Sequence, residues 1–529
     1  MLKNRNGGNK VMLIQILMLI VFFGVMITVG LYCRKKATDV NGFILGGRSV
    51  GPWLSAFAYG TSYFSAVIFV GYAGQFGWKY GLASTWIGLG NALIGSTLAW
   101  VILGRRTRVM THYFDSSTMP EFFGARYESR PIKIAASVIV FIFLIPYTAS
   151  LYNGLSRLFG MAFHIDYAVC IIVMAVLTGV YVIAGGYMAT AWNDFIQGLI
   201  MLFGIVVVIL AVLKANGGFT QAVFSLAGVQ DKTAGAAGMQ PGVFTSFFGP
   251  DPINLAGVII LTSLGTWGLP QMVQKFYAIK SENAIKKGTI ISTFFAIVVA
   301  GGCYFLGGFG RLYGNVINIK TDGYDAIIPS MLSSLSPVLI GLVVILVLSA
   351  SMSTLSSLVM VSASTLTIDF IRELFDRKMS DKKQLFIIRV LIMVFIAISV
   401  VLAVIQYKSS VTFIAQLMGV SWGALAGSFL APFFYGLYWK GTTKASVWVN
   451  FIFGSGLMIL NLFARPMFPK WLQSPINAGA FAMLAGFIII PIVSMFTEKP
   501  LKKSVDAMFD CYLKTVTVKQ SADLGEENN

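Results

Sequence analysis

Charged side chains are scarce in this chain: Asp, Glu, Lys and Arg make up 11% of its 529 residues. A soluble protein carries nearer 25%, because its surface must be wetted by water. Hydrophobic residues account for 57% of the chain, and the mean hydropathy is +0.78. We therefore expect most of the surface to face lipid, and the lipid bilayer to be a partner of this protein.

Cysteine and histidine are also sparse, with four and two residues respectively. Three cysteines fall inside apolar runs and no two share a loop, so we expect neither a disulfide framework nor a metal centre. The two histidines, His112 and His164, are placed in or near loops. The sequence contains no nucleophile–histidine–acid set and no phosphate-binding loop. These absences argue against an enzyme and against ATP-driven transport.

Lys and Arg outnumber Asp and Glu by 39 to 21, which gives a formal net charge of +18. The basic residues form short clusters between apolar runs. This distribution is typical of cytoplasmic loops that face anionic lipid, and we expect no nucleic-acid partner.

A helix needs about 20 apolar residues to cross a bilayer core. Thirteen runs meet this measure, near residues 11–33, 51–80, 83–104, 134–163, 167–189, 191–213, 255–274, 289–310, 337–371, 386–406, 411–438, 445–465 and 477–497. With the N-terminus outside, 27 of the 39 Lys and Arg residues lie on the inner side, and Lys275 is counted among these loop residues. This asymmetry predicts an all-α, multi-pass protein of the bacterial inner membrane, with its C-terminus in the cytoplasm.

Two of the runs are interrupted by small and polar residues at mid-membrane depth. The second contains Tyr-Gly-Thr-Ser-Tyr-Phe-Ser at 59–65, and the seventh contains Ser-Leu-Gly-Thr-Trp-Gly-Leu-Pro-Gln at 263–271. Glycine and proline free backbone groups that protein, water or a bound ion must then satisfy. The two runs lie five spans apart, as inverted repeats over 51–213 and 255–438 require. Matched broken helices point to a transporter's binding site, although close helix packing would explain either run alone.

The ninth run holds the densest group of hydroxyl side chains. Hydroxyl and carbonyl oxygens are the ligands that a hard monovalent cation prefers. The adjacent Ser353 and Thr354 can aim their hydroxyls at one point beside a broken helix, whose free carbonyls would supply further ligands. Serine and threonine also join membrane helices to one another, so the cluster alone is a weak signal.

Asp194 is the acidic residue that we expect inside the helix bundle, because nearly all others fall in loops or in the tail. A carboxylate at membrane depth costs about 2.5–3.5 kcal/mol, so it needs a partner or a function. The alternative is that Asp194 caps the sixth helix in a turn at 190–194, near the cytoplasmic interface.

A solute pocket is predicted between the two broken runs, where polar and aromatic side chains converge near the midplane. The candidate contacts are Tyr63, Ser65, Thr266 and Trp267, with Gln416 or Trp422 of the eleventh run. Packing is the alternative role of Trp267.

Outside the repeats we place an extra span and inner loop (1–50), an outer loop (214–254), two peripheral spans (439–497) and a cytoplasmic tail (498–529).

Five short motifs resemble the sodium/solute symporter family, and within it the sodium/proline symporters. In chain order they are Leu-Gly-Gly-Arg-Ser-Val-Gly-Pro at 45–52, Met-Pro-Glu-Phe-Phe at 119–123, Gly-Gly at 185–186 with Ala-Trp-Asn-Asp at 191–194, Met-Ser-Thr-Leu-Ser at 352–356, and Tyr-Trp-Lys at 438–440. The resemblance runs from about residue 40 to 445. It implies a LeuT-type core of two inverted five-helix repeats that works by alternating access.

The resemblance also implies that sodium is the co-transported ion, and it maps two sets of ligands onto this chain. The first site would use the carbonyls of Thr61, Phe64 and Ala350 and the hydroxyls of Ser353 and Thr354. Some family members hold a second sodium ion, and the matching residues here are Asp194, Ser353, Ser356 and Ser357.

A small zwitterion such as proline or another amino acid is the solute that this resemblance favours. Tyr63 stands where proline transporters carry an aspartate, and residues 144–147 offer no arginine of the kind that sialic-acid members use. A sugar, sialic acid or a carboxylate therefore stays open as the solute. Two other classes stay open: a proton-coupled carrier in which Asp194 titrates, and a sensor that keeps the fold without transport.

Overall fold

A computed structural model describes residues 2–34, 38–163, 166–231, 235–409 and 414–513; of residues 2–14, 163, 167, 320–321 and 407–409 it describes the backbone alone. Within these ranges all regular secondary structure is helical and no β-strand is present, so the all-α prediction is confirmed. His164 and residues 514–529 of the predicted tail lie outside the described residues.

The first half of the chain forms ten α-helices: α1 (Leu2–Cys33), α2 (Val40–Leu45), α3 (Pro52–Tyr63), α4 (Ala73–Tyr80), α5 (Thr85–Gly90), α6 (Arg105–Tyr113), α7 (Met119–Arg126), α8 (Arg130–Phe163), α9 (Tyr167–Ala215) and α10 (Phe219–Ala227). The second half forms thirteen: α11 (Pro252–Gly268), α12 (Pro270–Tyr277), α13 (Glu282–Ala296), α14 (Gly302–Gly307), α15 (Ile319–Asp322), α16 (Ile327–Ser333), α17 (Pro337–Thr365), α18 (Arg372–Phe375), α19 (Asp381–Ser409), α20 (Ile414–Tyr438), α21 (Lys444–Phe463), α22 (Pro475–Phe496) and α23 (Lys502–Phe509). Five π-helical segments continue some of these helices: Val67–Tyr72, Asn91–Leu98, Trp100–Gly104, Ile297–Gly301 and Leu366–Ile371.

The described residues contain ten helical stretches long and apolar enough to cross a bilayer, or eleven if α11 and α12 count as one bent span. Two of the ten, Val67–Tyr113 and Ala168–Ala215, run for 47 and 48 residues, about twice the length of one crossing. A glycine with positive φ interrupts each, Gly81 at 61° and Gly186 at 57°. The thirteen-span count requires both stretches to cross twice, and it stays a prediction, as does the division into inverted repeats.

Both interrupted runs are broken helices, as predicted. Helix α3 ends at Tyr63, Phe64 has extended backbone angles (φ −96°, ψ 106°), and the helix resumes as the π-helical segment Val67–Tyr72. In the second run Leu269 (φ −85°, ψ 123°) separates α11 from α12, whose axes differ by 45°. Each break removes backbone groups from the helical hydrogen-bond ladder inside an apolar layer, so those groups must find other partners.

The ends of the two broken helices are joined on the side that is predicted to be cytoplasmic. The Val50 amide donates to the Ala278 carbonyl and the Lys280 amide donates to the Val50 carbonyl, each at 3.1 Å. Arg108 adds two hydrogen bonds of 2.8 Å, to the carbonyls of Ile279 and Lys280. On the opposite side a cavity of about 1320 Å³ is lined by segments that include Trp78, Asp231, Arg311 and Trp471. The core is therefore closed at the predicted inner face.

Candidate functional site

The hydroxyls of Ser353 and Thr354 lie against the break in α3. Ser353 Oγ is 3.0 Å and Thr354 Oγ1 is 3.2 Å from the Thr61 carbonyl oxygen, and both are 3.1 Å from the Ala350 carbonyl oxygen. All four residues are buried. Because a hydroxyl has a single proton to donate, carbonyl and hydroxyl lone pairs remain for a cation.

Phe64, the fifth residue of the predicted first sodium site, lies at the break itself. Its amide donates to the Gly60 carbonyl at 3.2 Å, which ends α3. No contact among the described residues joins the Phe64 carbonyl to the other four groups.

Asp194 lies eight residues after the kink at Gly186, in the second helical half of α9, and is completely buried. Residues 190–194 are helical, so the alternative of a capping turn there is wrong. Neither carboxylate oxygen accepts a hydrogen bond from a described residue, and the Lys275 ammonium lies 3.7 Å from Oδ2. Asp194 therefore has a buried counter-charge and unused acceptor capacity.

Lys275 was predicted to lie in an inner loop, and this prediction is wrong. It belongs to α12 and is 2% exposed, because the bend at Leu269 turns this short polar helix into the core. Its ammonium donates to Ser357 Oγ at 3.0 Å, and Ser357 Oγ lies 2.8 Å from Ser62 Oγ. This network joins α3, α9, α12 and α17.

The predicted second sodium set is thus divided by the structure. Asp194 and Ser357 contact the same ammonium, that of Lys275. Ser353 belongs to the group at the α3 break, and Ser356 Oγ donates to the Ser353 carbonyl of its own helix at 2.9 Å. Sequence reasoning missed Lys275 because the predicted apolar run ended at residue 274, so this lysine was counted as the first residue of the following loop.

Two further carboxylates, Asp369 and Asp325, are buried, contrary to the expectation that Asp194 stands out alone. Asp369 accepts a 2.6 Å hydrogen bond from Thr118 and lies 3.5 Å from the Lys133 ammonium. Asp325 accepts a hydrogen bond from the Ile414 amide at 3.3 Å. Unlike Asp194, each of these carboxylates accepts a hydrogen bond.

Three aromatic rings from different helices meet beside the two breaks. The Tyr63 hydroxyl donates to the Thr262 carbonyl and so bridges α3 and α11. The Tyr63 ring stacks on Trp422 with centroids 5.6 Å apart, and Tyr147 of α8 meets Trp422 edge-on at 5.9 Å. The Tyr147 hydroxyl faces both Ser65 and the Trp422 indole nitrogen, but neither this hydroxyl nor that nitrogen forms a hydrogen bond of normal geometry among the described residues.

Tyr147 was not predicted as a contact, although a tyrosine that follows Pro146 in the middle of an apolar span was an available signal. Unpartnered donors in a buried aromatic group are the kind of polar contact that orients a small ligand. The three rings and Ser65 form a buried aromatic cluster beside the broken helices, where the solute pocket was predicted.

Thr266 and Trp267 make other contacts. Trp267 Nε1 donates to the Ile94 carbonyl at 3.0 Å, and Thr266 Oγ1 lies 3.1 Å from the Gly95 carbonyl. Both side chains hold α11 against the π-helical segment Asn91–Leu98. Gln416 is partly exposed near the start of α20, and no described contact links it to the aromatic group.

The arrangement is that of a secondary transporter of the LeuT-type fold. The structure is similar to that of a sodium-coupled sialic acid symporter solved in a substrate-bound outward-open state, with a TM-score of 0.72 and 18% identity over 92% of this chain and 98% of that one. A nucleobase-cation-symport-1 family transporter gives a TM-score of 0.50 at 13% identity, over 89% and 98% of the two chains.

The model of the sodium:solute symporter family matches residues 43–454, and the chain belongs to this family. It is 30% identical over 501 residues to a sodium/proline symporter of Staphylococcus aureus, covering 92% of this chain and 93% of the relative. It is 28% identical over 494 residues to the osmoregulated proline transporter of Bacillus subtilis, covering 92% and 95%. The family predicted from the motifs is confirmed: the protein is a multi-pass membrane transporter that couples solute to sodium, and not an enzyme.

Replacing Lys275 by methionine is expected to lower the free energy of unfolding by about 3–5 kcal/mol, because Asp194 is then buried without its counter-charge. The double variant Asp194→Asn/Lys275→Met removes both charges and should recover most of this loss. The melting temperatures of the purified variants in detergent measure both effects.

A matched control is Lys440→Met, since Lys440 pairs with Asp506 at 2.6 Å but the two side chains are 52% and 40% exposed. Its cost should not exceed about 1 kcal/mol. Wild-type melting of Lys275→Met, or a double variant no more stable than the single one, would show that Lys275 does not hold Asp194.

Proposed function

We propose that this chain imports proline, or another small amino acid, together with sodium across the bacterial cytoplasmic membrane. The observation that carries this proposal is the convergence of two hydroxyls and two backbone carbonyls at the α3 break, next to the aromatic pocket. The proline transport named for two bacterial relatives supports the choice of solute. The excess of basic loops on one side supports an outer N-terminus and a cytoplasmic C-terminus.

The first sodium ion is proposed to bind the carbonyls of Thr61, Phe64 and Ala350 and the hydroxyls of Ser353 and Thr354. Each of the two hydroxyls already lies within hydrogen-bond distance of the Thr61 and Ala350 carbonyl oxygens. At the Thr61 carbonyl, α3 and α17 are joined by hydroxyl–carbonyl hydrogen bonds, and a cation can replace these bonds without further desolvation of the helices.

Ser353→Ala or Thr354→Ala should raise the sodium concentration for half-maximal uptake. Loss of one hydroxyl leaves the ion short of a ligand, at a cost of about 1–3 kcal/mol, or roughly five- to 150-fold. Sodium titration of solute uptake into proteoliposomes measures the change.

Ser351→Ala is the control, because Ser351 is equally buried on α17 but bonds only to the Val347 carbonyl of its own helix, at 2.7 Å. It should keep the wild-type sodium dependence. Unchanged sodium dependence in both test variants would contradict the assignment.

The solute is proposed to lie against Tyr63, Ser65 and Trp422, with Tyr147 as a further contact. Rings suit the apolar part of proline, while the free Trp422 Nε1 and Tyr147 hydroxyl can donate to its carboxylate. The helix that restarts after Ser65 also directs its N-terminus toward this pocket, which favours an anionic group. Thr266, Trp267 and Gln416, from the sequence-based set, are proposed as the outer layer of the same site.

Tyr147→Phe is expected to raise the KM for sodium-driven proline uptake roughly tenfold or more, since it removes one hydrogen bond to a charged group worth about 1.5–3 kcal/mol. Uptake of radiolabelled proline by proteoliposomes is the measurement. Tyr127→Phe is the control: Tyr127 is also buried, but its hydroxyl donates to the Pro432 carbonyl at 2.6 Å.

A panel of solutes tests the alternatives in the same vesicles. Sodium-driven uptake of a sugar, sialic acid or a carboxylate without proline uptake would replace the proposed solute. Uptake that ignores sodium and follows a proton gradient would make the protein a proton-coupled carrier, and binding without uptake would indicate a sensor.

A second sodium ion is proposed to bind at Asp194, with Ser353, Ser356 and Ser357 as the other members of the set. Lys275 supplies the positive charge beside Asp194 in this conformation. Because Lys275 is carried by the segment after the second helix break, the ion would enter when that segment moves and Lys275 withdraws. The unused acceptors of the Asp194 carboxylate support this proposal.

Two sodium ions per solute are therefore expected for the wild-type protein, and one for Asp194→Asn. A tenfold sodium gradient supplies about 1.4 kcal/mol per ion, and 100 mV adds about 2.3 kcal/mol per charge. One ion thus supports roughly 500-fold accumulation of a neutral solute, and two support about the square of that. The membrane potential that stops solute flux at fixed gradients gives the stoichiometry. A one-to-one ratio in the wild type, with normal transport by Asp194→Asn, would leave Lys275 as the permanent partner of Asp194.

A further inference from the structure

An apolar groove of about 670 Å³ lies between α9 and α19 on their lipid-facing surface, away from the candidate sodium and solute sites. Its walls include Ile172, Val176 and Val180 of α9 and Met393, Ile396 and Val400 of α19. The α9 wall runs from residue 172 to 184, about 18 Å at the rise of an α-helix. This is about the thickness of the hydrocarbon layer of one leaflet, roughly 15 Å. The groove therefore has the length and the lining that an acyl chain needs.

Arg34 and Arg389 stand at one end of this groove, on the side that carries the clustered basic loops. Among the described residues neither arginine forms an ion pair with a carboxylate. Arg389 lies over the Phe43 ring, 5.6 Å from its centre, and its Nε is buried without a hydrogen-bond partner. The guanidinium groups of Arg34 and Arg389 thus line the groove without a carboxylate partner among the described residues, and the Arg389 Nε donor is unused.

Two other basic side chains on the same side are paired with carboxylates. Arg372 pairs with Glu121 at 2.7 Å, and Lys383 pairs with Asp376 at 2.9 Å. A guanidinium binds phosphate through paired N–H donors, and basic pockets between membrane helices bind anionic headgroups.

We propose that this groove binds an anionic phospholipid of the adjoining leaflet, with one acyl chain along α9 and α19 and its phosphate on Arg34 and Arg389. A zwitterionic lipid can fill the apolar groove equally well, but its headgroup carries its own cation and gains less from two uncompensated arginines. The site is therefore selective for headgroup charge.

Native mass spectrometry of the purified full chain with added phosphatidylglycerol or phosphatidylcholine tests this proposal. We expect the wild type to retain one phosphatidylglycerol molecule at least fivefold more often than phosphatidylcholine. Arg34→Gln/Arg389→Gln should lose this preference. Val176→Trp, which fills the groove and keeps both charges, should lose the retained lipid.

The control is Arg377→Gln/Lys382→Gln, which removes the same net charge from exposed residues of the same side and should keep the preference. The proposal is overturned if the wild type binds the two lipids equally, or if the arginine variant keeps its selectivity. It is also overturned if the groove is covered by a second copy of the chain, seen as a dimer that Val176→Trp dissociates.

Discussion

The requirement that every backbone polar group be satisfied inside the membrane governs this structure. A soluble protein can leave a broken helix to water, but a helix that breaks in hydrocarbon must find its partners within the protein. At the break in α3 the partners are the hydroxyls of Ser353 and Thr354, and they bond to carbonyls that a cation would also bind. The hydroxyl and carbonyl groups that stabilise the broken helix without an ion are therefore also the candidate ligands of the ion.

The same requirement applies more severely to charge. Asp194 is completely buried, and the Lys275 ammonium at 3.7 Å is its counter-charge. Since Lys275 is delivered by α12, the pair ties the position of the second broken helix to α9. A movement of α12 that separates the two charges would leave the Asp194 carboxylate without Lys275, and the proposed second sodium ion would then take the place of the ammonium.

The aromatic pocket shows how the two broken helices form one site. Tyr63 reaches from α3 to the Thr262 carbonyl of α11 and also stacks on Trp422 of α20. The predicted cytoplasmic side beneath it is closed by the Val50 bridge and Arg108, whereas a large cavity lies on the other side. The proposed sodium-binding hydroxyls and the aromatic cluster thus lie between a closed inner side and a cavity on the outer side.

The sequence alone determined the class of protein, the all-α fold, both helix breaks and the hydroxyl cluster, because composition and apolar run lengths are local properties. It also identified the family, because its motifs are contiguous. The tertiary structure decided what needs distant segments: Lys275 as the partner of Asp194, Tyr147 beside Trp422, and Trp267 turned toward the Ile94 carbonyl. Lys275 is the clearest case. In the sequence it directly follows the last residue of the predicted seventh run, and only the structure, with its 45° bend between α11 and α12, shows that the helix continues and buries the lysine. A bend angle depends on packing between helices that are remote in sequence, and no local pattern records it.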